Sequence, residues 1–266
     1  NLLSHQSGMA GSSSYSWAQL KTQLQGGLPL PNNIGGDPEY SNWNYAVCRM
    51  LIPYVLNRDF WRGRESDLAG ANDGGIGWLD SATSTTYINW VRNKVFAPAG
   101  ISGIHPRPVE DTIDNFAWYY DASDLSIPGA IMADRRLTVG SGGWAISARD
   151  YARFISALFR GDIMDESLLQ EMQNSSLGIY NRVGANGSDK YYNHNGATSS
   201  NVGGRSSWMI FPDNTVGVIQ VNAINNPYEG PRVDLGQILQ ESWENSFGSV
   251  SSTSLNHPLH LFYSRP

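Results

Sequence analysis

Two short strings hold the side chains best suited to chemistry: Tyr40-Ser41-Asn42 and His194-Asn195-Gly196-Ala197. A tyrosine hydroxyl gives or takes a proton, but with an ordinary pKa near 10 it is almost wholly protonated at neutral pH. It becomes a base only where nearby positive charge favours the phenolate. Asparagine supplies a donor and an acceptor, and imidazole a polar or, once protonated, cationic group. Read one at a time these residues say less: Tyr40 as a packed aromatic, Asn42 as a helix cap, His194 as a strand or surface histidine. The remaining candidates are weaker. His105, His257 and His260 have no metal-ligand spacing with acidic partners, so neither a metal nor any other cofactor is expected. The single cysteine, Cys48, rules out an internal disulfide and a cysteine-cluster metal site. It lies in an apolar, helix-like stretch and reads as a buried structural thiol.

The elements around these strings follow from periodicity. Trp43, Val47, Met50 and Tyr54 fall at helical spacing, so a helix is predicted from near Tyr40, with a kink or an early end at Pro53. Gly8 to Ser16, Gly26 to Pro38 and Gly63 to Ser81 read as loops, Thr85 to Phe96 as a short helix, and Ile101 to Val139 as an irregular excursion. The clearest helix runs from Ala148 to Phe159, with Ser147 as N-cap and Asp150 three residues on in the manner of a capping box. A shorter one covers Glu166 to Met172. After Tyr191 the period becomes that of strands. Ser206 to Phe211 and Thr215 to Asn222, separated by Pro212-Asp213-Asn214, form a hairpin, and Val233 to Phe247 a closing helix. Helices, then a meander, then a final helix predict an α+β fold with a sheet covered by helices.

With 266 residues the chain can bury a substantial core, and its net charge of -6 argues against a nucleic-acid partner, which needs a concentrated basic surface. No apolar run approaches the roughly 20 residues of a membrane helix. The chain opens at Asn1 with neither an initiator methionine nor a signal-peptide pattern, and is expected to be processed or part of something longer. Two glycosylation sequons, Asn174-Ser175-Ser176 and Asn186-Gly187-Ser188, and few lysines tilt the expected location towards secreted or periplasmic.

Three strings, in this order, resemble the serine β-lactamase and penicillin-binding-protein-like superfamily, in particular its class C and esterase-like branch. Leu2-Leu3-Ser4-His5-Gln6-Ser7-Gly8-Met9 resembles a "LLSHTSGL" string, Tyr40-Ser41-Asn42 a Tyr-x-Asn motif at a helix start, and His194-Asn195-Gly196 a His-x-Gly motif on an edge strand lining the site. Val95 to Ile101, Gly142 to Asp150 and the Phe211-Pro212-Asp213 hairpin agree with family strings in the same order. The resemblance covers roughly Leu2 to Phe247. It implies a β-lactamase-like α+β domain over 1–247, with a mostly helical part over about 1–175, an antiparallel sheet with its closing helix over about 190–247, and a tail over 248–266.

The resemblance also implies roles. A Ser-x-x-Lys serine attacks an acyl group to form an acyl-enzyme that water or another acceptor resolves. Carried over by position, Tyr40 is the acid/base, Asn42 bonds the substrate amide or the motif lysine, and His194 is a polar or cationic group in the tyrosine's network. Gly196 and Ala197 line the acyl site, the Ala197 N–H serving as one oxyanion donor. His5 is expected to fix a loop rather than do chemistry. The departure is the first motif. The residues three before Lys21, Lys94 and Lys190 are Ala18, Val91 and Gly187, so the chain holds no Ser-x-x-Lys. By itself it is expected to be inactive, with a cleaved N-terminal chain bringing the nucleophile and a small ester or amide as substrate. The alternative is a catalytically inactive β-lactamase-like binding protein or structural subunit.

Overall fold

The computed structural model describes residues 2–7, 9, 15–25, 35, 37–68, 73–107, 116–121, 124, 126, 128–184, 187–197, 204–224 and 234–247. The chain divides into two compact units. One comprises Asn1–Val95, Gly103–Val109 and Ala133–Ala145, the other Phe96–Ser102, Glu110–Met132 and Ile146–Pro266.

The first unit is helical: α1 (Trp17–Gln25), α2 (Asn42–Ala46), α3 (Cys48–Leu56), α4 (Arg58–Asp67) and α5 (Asp73–Val91), the last running on into a π turn over Arg92–Phe96. Side chains start several of them. Ser16 accepts from the Gln19 amide at 3.4 Å and donates to its side chain at 2.8 Å, while Ser41 accepts from Trp43 N and Asn57 from Phe60 N. Met9, Trp17, Leu20, Trp43, Ala46, Met50 and Leu79 pack together as the core. At its centre the fully buried Arg49 guanidinium donates to Thr83 Oγ1 (2.8 Å), Ser84 Oγ (3.2 Å), Tyr15 O (2.9 Å) and Asp80 Oδ1 (3.1 Å). Asp80 Oδ1 also accepts from Trp17 N at 2.6 Å, so one ion pair ties α1, α3 and α5.

One sequence expectation fails here, and so does the early helix end expected at Pro53. The supposed loop from Gly63 to Ser81 is largely helix, the end of α4 and the first half of α5. Its glycines cost about 1 kcal/mol each against alanine, but burial of Leu79 and anchorage of Asp80 outweigh that preference. Pro53 does not end its helix. The break comes at Val47, and α3 passes through the fully buried Pro53 to Leu56.

The second unit carries β1 (Trp118–Asp121), β2 (Ala130–Ile131), α6 (Ala148–Phe159), α7 (Glu166–Asn174), β3 (Tyr180–Val183), β4 (Lys190–Ala197), β5 (Arg205–Ile210), β6 (Val216–Val221), β7 (Ala223–Ile224) and α8 (Leu235–Phe247). The main sheet is antiparallel in the order β3-β4-β5-β6, and a small second sheet has the order β2-β1-β7. Alternation sorts the main sheet's faces. Tyr192, Trp208, Ile210, Val216 and Val218 meet Ile155, Leu158 and Leu169 of α6 and α7. Tyr191, Met209, Phe211 and Ile219 meet Leu239 and Trp243 of α8. Close approach of α8 needs Gly217, where a Cβ would stand 2.8 Å from the Phe211 ring and 3.1 Å from Leu239. The β5–β6 hairpin closes through Asn214 at φ 65°, with Asp213 accepting from Thr215 N and Oγ1. Ser147 caps α6 by accepting from Asp150 N at 3.1 Å, as the sequence predicts. The fold is α+β, an antiparallel sheet flanked by helices together with a helical unit. Among the described residues no helix is long and apolar enough to cross a membrane.

Candidate active site

Tyr40 and Asn42 meet at the start of α2. The Tyr40 hydroxyl donates to Asn42 Oδ1 at 3.0 Å, and the residue is 59% exposed. Capping falls to the intervening Ser41, which leaves the Asn42 amide outside the cap. Beneath them lies the Leu2–Met9 string, bound to the same helix start. His5 Nδ1 accepts from Ser41 N at 3.2 Å and lies 3.2 Å from Asn44 Nδ2. Asn44 Oδ1 accepts from Ser7 Oγ, which in turn accepts from Met9 N at 3.2 Å. Tyr45 OH donates to Leu3 O at 2.8 Å. His5, Ser7, Ser41 and Asn44 are all buried. Two strings 36 residues apart are therefore one hydrogen-bonded object, in keeping with a loop-fixing His5.

His194, Gly196 and Ala197 lie on β4. The strand is not an edge over its first half, because β3 pairs with Lys190 to Asn193. From His194 to Ala197 its strand partner among the described residues is β5 alone, so the expected edge exists only over these last four residues. Alternation puts His194 on the α6 face with Tyr192, and its ring stacks on Tyr180 with centroids 5.1 Å apart. Burial holds the His194 imidazole below its ordinary value, with a hydrogen bond to the Asn195 backbone pulling the other way. Of the two roles left open, polar or cationic, this favours the neutral, polar one at pH 7. Gly196 faces Ser206 across the ladder, where a Cβ would meet Ser206 Oγ at 2.8 Å. Ala197, exposed, ends the strand opposite Arg205.

On the other face of β4, Asn195 Nδ2 donates to Asp234 Oδ1 at 3.3 Å, and Arg182 of β3 donates to Asp234 Oδ2 at 2.6 Å. Asp234 also accepts from the amides of Gly236 and Gln237, capping α8. Burial alone would raise its pKa, but the Arg182 bond and these amides hold it below the usual carboxylate value. Asp234 and Tyr180 thus brace the motif strand, and the sequence reading missed both. An aspartate directly before the apolar run of α8 is a recognisable cap signal; the Tyr180 stack has no local signal.

The structure brings Tyr40 to Asn42, and sets His194, Gly196 and Ala197 along one strand; the two groups belong to different units. Cys48 is partly buried, and burial pushes its thiol up, away from reactivity. Among the described residues no group of three or more His, Cys, Asp or Glu side chains is placed to hold a metal ion.

No curated protein matches the sequence. Solved structures share the fold. D-amino acid amidase from Ochrobactrum anthropi SV3, in complex with L-phenylalanine amide, is 17% identical with a TM-score of 0.58, over 92% of this chain and 71% of that one. A penicillin binding protein from Bacillus halodurans is 17% identical with a TM-score of 0.52, over 85% of this chain and 68% of that one. The Beta-lactamase family model matches residues 69–241, which takes in His194, Gly196 and Ala197 and begins after Tyr40 and Asn42. With more than half its length matched, and the sheet, helices and motif strand in place, the chain belongs to the Beta-lactamase family.

Proposed function

We propose that this chain is the larger part of a serine hydrolase that cleaves a small amide or ester through an acyl-enzyme, acting as an amidase, peptidase, esterase or acyl transferase. The observation that carries the reading is the exposed Tyr40 hydroxyl, held by Asn42 at the start of α2. A proton-transfer group must be both reachable and oriented, and this phenol is both. The strand from His194 to Ala197, which among the described residues pairs with β5 alone, adds a place for an acyl chain, where substrate backbone can bond as a further strand would.

The nucleophile in this reading comes from a separate N-terminal chain of the same precursor, since Ser-x-x-Lys is absent from these 266 residues. Its serine Oγ attacks the acyl carbon while its proton passes to Tyr40, made phenolate-like by the incoming lysine. The oxyanion takes the N–H of Ala197 and that of the serine. Tyr40 returns the proton to the leaving amine or alcohol, and water, deprotonated in the same way, releases the acid and regenerates the serine. Asn42 orients the tyrosine or the substrate amide, and His194 donates or accepts as a neutral ring. The two amidase and penicillin-binding structures support the fold of this reading. Choice of substrate rests on the groups named here. A secreted or periplasmic location belongs to the same proposal, with Asn174 of one sequon exposed at the end of α7.

Denaturing mass spectrometry of the native protein, after treatment with a fluorophosphonate or penicillin-type probe, tests this. A co-purifying small chain that takes the label is the expected result. A lone, cooperatively folded 29.2 kDa species without label overturns it and supports the binding-protein alternative.

A further inference from the structure

The groups around His5 do more than close a loop. Its backbone adopts φ 57°, a left-handed conformation uncommon for a residue with a side chain, and its ring is buried. A backbone N–H can only donate, so Nδ1, facing Ser41 N, is an acceptor, and the neutral ring carries its hydrogen on Nε2. The Asn44 amide donates to the same nitrogen, and its carbonyl end is held in turn by Ser7. The imidazole is therefore locked in position and tautomer from the side of α2. Its face is what Tyr40 rests on: the centroids lie 4.5 Å apart with 39° between the planes, and Tyr45 packs against the same ring at 5.2 Å. Tyr40 is mostly solvent-facing, and a ring in that position samples several rotamers unless something beneath selects one.

We propose that His5 is a positioning residue for Tyr40: its buried ring, pinned through Nδ1 to the first turn of α2, forms the seat that holds the exposed phenol against Asn42. The proposal rests on the reading of Tyr40 as the acid/base and extends it to a residue that touches no substrate. It also separates two jobs that one histidine performs. Loop-fixing needs an acceptor at the Nδ1 position and tolerance of positive φ, and asparagine supplies both. Seating Tyr40 needs the flat ring, which asparagine lacks.

His5→Asn therefore distinguishes the two. The isolated protein with 13C-labelled tyrosine rings, the Tyr40 signal being identified by its loss in Tyr40→Phe, gives the readout. In His5→Asn the Ser41 amide resonance is expected to persist and the melting temperature to stay near that of the wild type. The Tyr40 ring is expected to lose its rotamer preference and gain fast motion. In the protein assembled with its Ser-x-x-Lys chain, the acylation rate by a penicillin-type probe falls by about tenfold or more, with probe affinity unchanged. Tyr40 motion identical in His5→Asn and wild type overturns the proposal. If His5→Asn does not fold, cross-relaxation between the His5 and Tyr40 rings in the wild type decides it, and its absence overturns the seat. A wild type that never labels, while Tyr40 loosens in the variant, removes the hydrolase reading and leaves the seat standing.

Discussion

Tyr40→Phe deletes one oxygen from a ring that is mostly in water, so stability is expected to change by no more than about 0.5 kcal/mol. The same substitution removes the group proposed to move the proton, and acylation in the assembled enzyme is expected to fall by about 10²–10⁴. Stopped-flow labelling beside a urea titration separates the two effects. His194 carries a pH prediction. Its folded-state pKa lies below the ordinary value, so the unfolded chain binds a proton that the folded chain refuses. Its stabilising contribution is complete above the unfolded value of about 6.5 and is lost as pH falls through the folded one. His105, lowered by burial and then by Arg92 and Arg107, acts with the same sign. Stability should therefore drop between pH 7 and pH 5, by less in His194→Asn and by less still with His105→Asn added. Urea midpoints that ignore both substitutions would contradict this. The candidate site was legible at this scale only as residue types in the order of the family's motifs. The lowering of the His194 pKa was not, because it depends on burial that no neighbour in sequence supplies.

Elements are held by a few polar pairs, one around a buried arginine and one half-buried, whose partners are remote in sequence. Arg49 meets Asp80 31 residues away, and Arg182 meets Asp234 52 residues away. Arg49→Met is expected to destabilise by about 3–5 kcal/mol, because it strands Asp80 inside the helical unit. Asp234→Ala, which removes the cap of α8, is expected to cost about 1 kcal/mol. In the sheet, Gly217→Val forces a side chain into Phe211 and Leu239 and should cost about 1–3 kcal/mol. Chemical denaturation of the three variants checks all of them, and Arg49→Met at wild-type stability would refute the role given to that ion pair. Helices with strong local signals were legible: Ser147 and Asp150 marked α6, and the Pro212-Asp213-Asn214 turn marked the β5–β6 hairpin. Helix α5 was not, since its glycines read as loop and its stability comes from Leu79, Asp80 and Thr83 meeting α3. Helix α1 had a capping pair, Ser16 and Gln19, that went unread.

For the molecule as a whole, one quantity follows from the proposed two-chain assembly. A partner that binds only the folded chain stabilises it by mass action, by about 2.7 kcal/mol at a hundredfold excess over its Kd. The melting temperature of this chain should therefore rise with the concentration of the Ser-x-x-Lys chain. A melting temperature independent of it would count against the assembly. The sequence by itself determined the α+β class, because cap residues, turn residues and hydrophobic periods are local properties that survive without a fold, and its motif strings, also local, carried the resemblance to the family. Tertiary structure alone decided that, among the described residues, β3 pairs with β4 only as far as Asn193, that His5 lies under Tyr40, and that Asp234 and Tyr180 brace the motif strand. Each of these depends on strand register or on burial between segments tens of residues apart, and such distances exist only once the chain has packed.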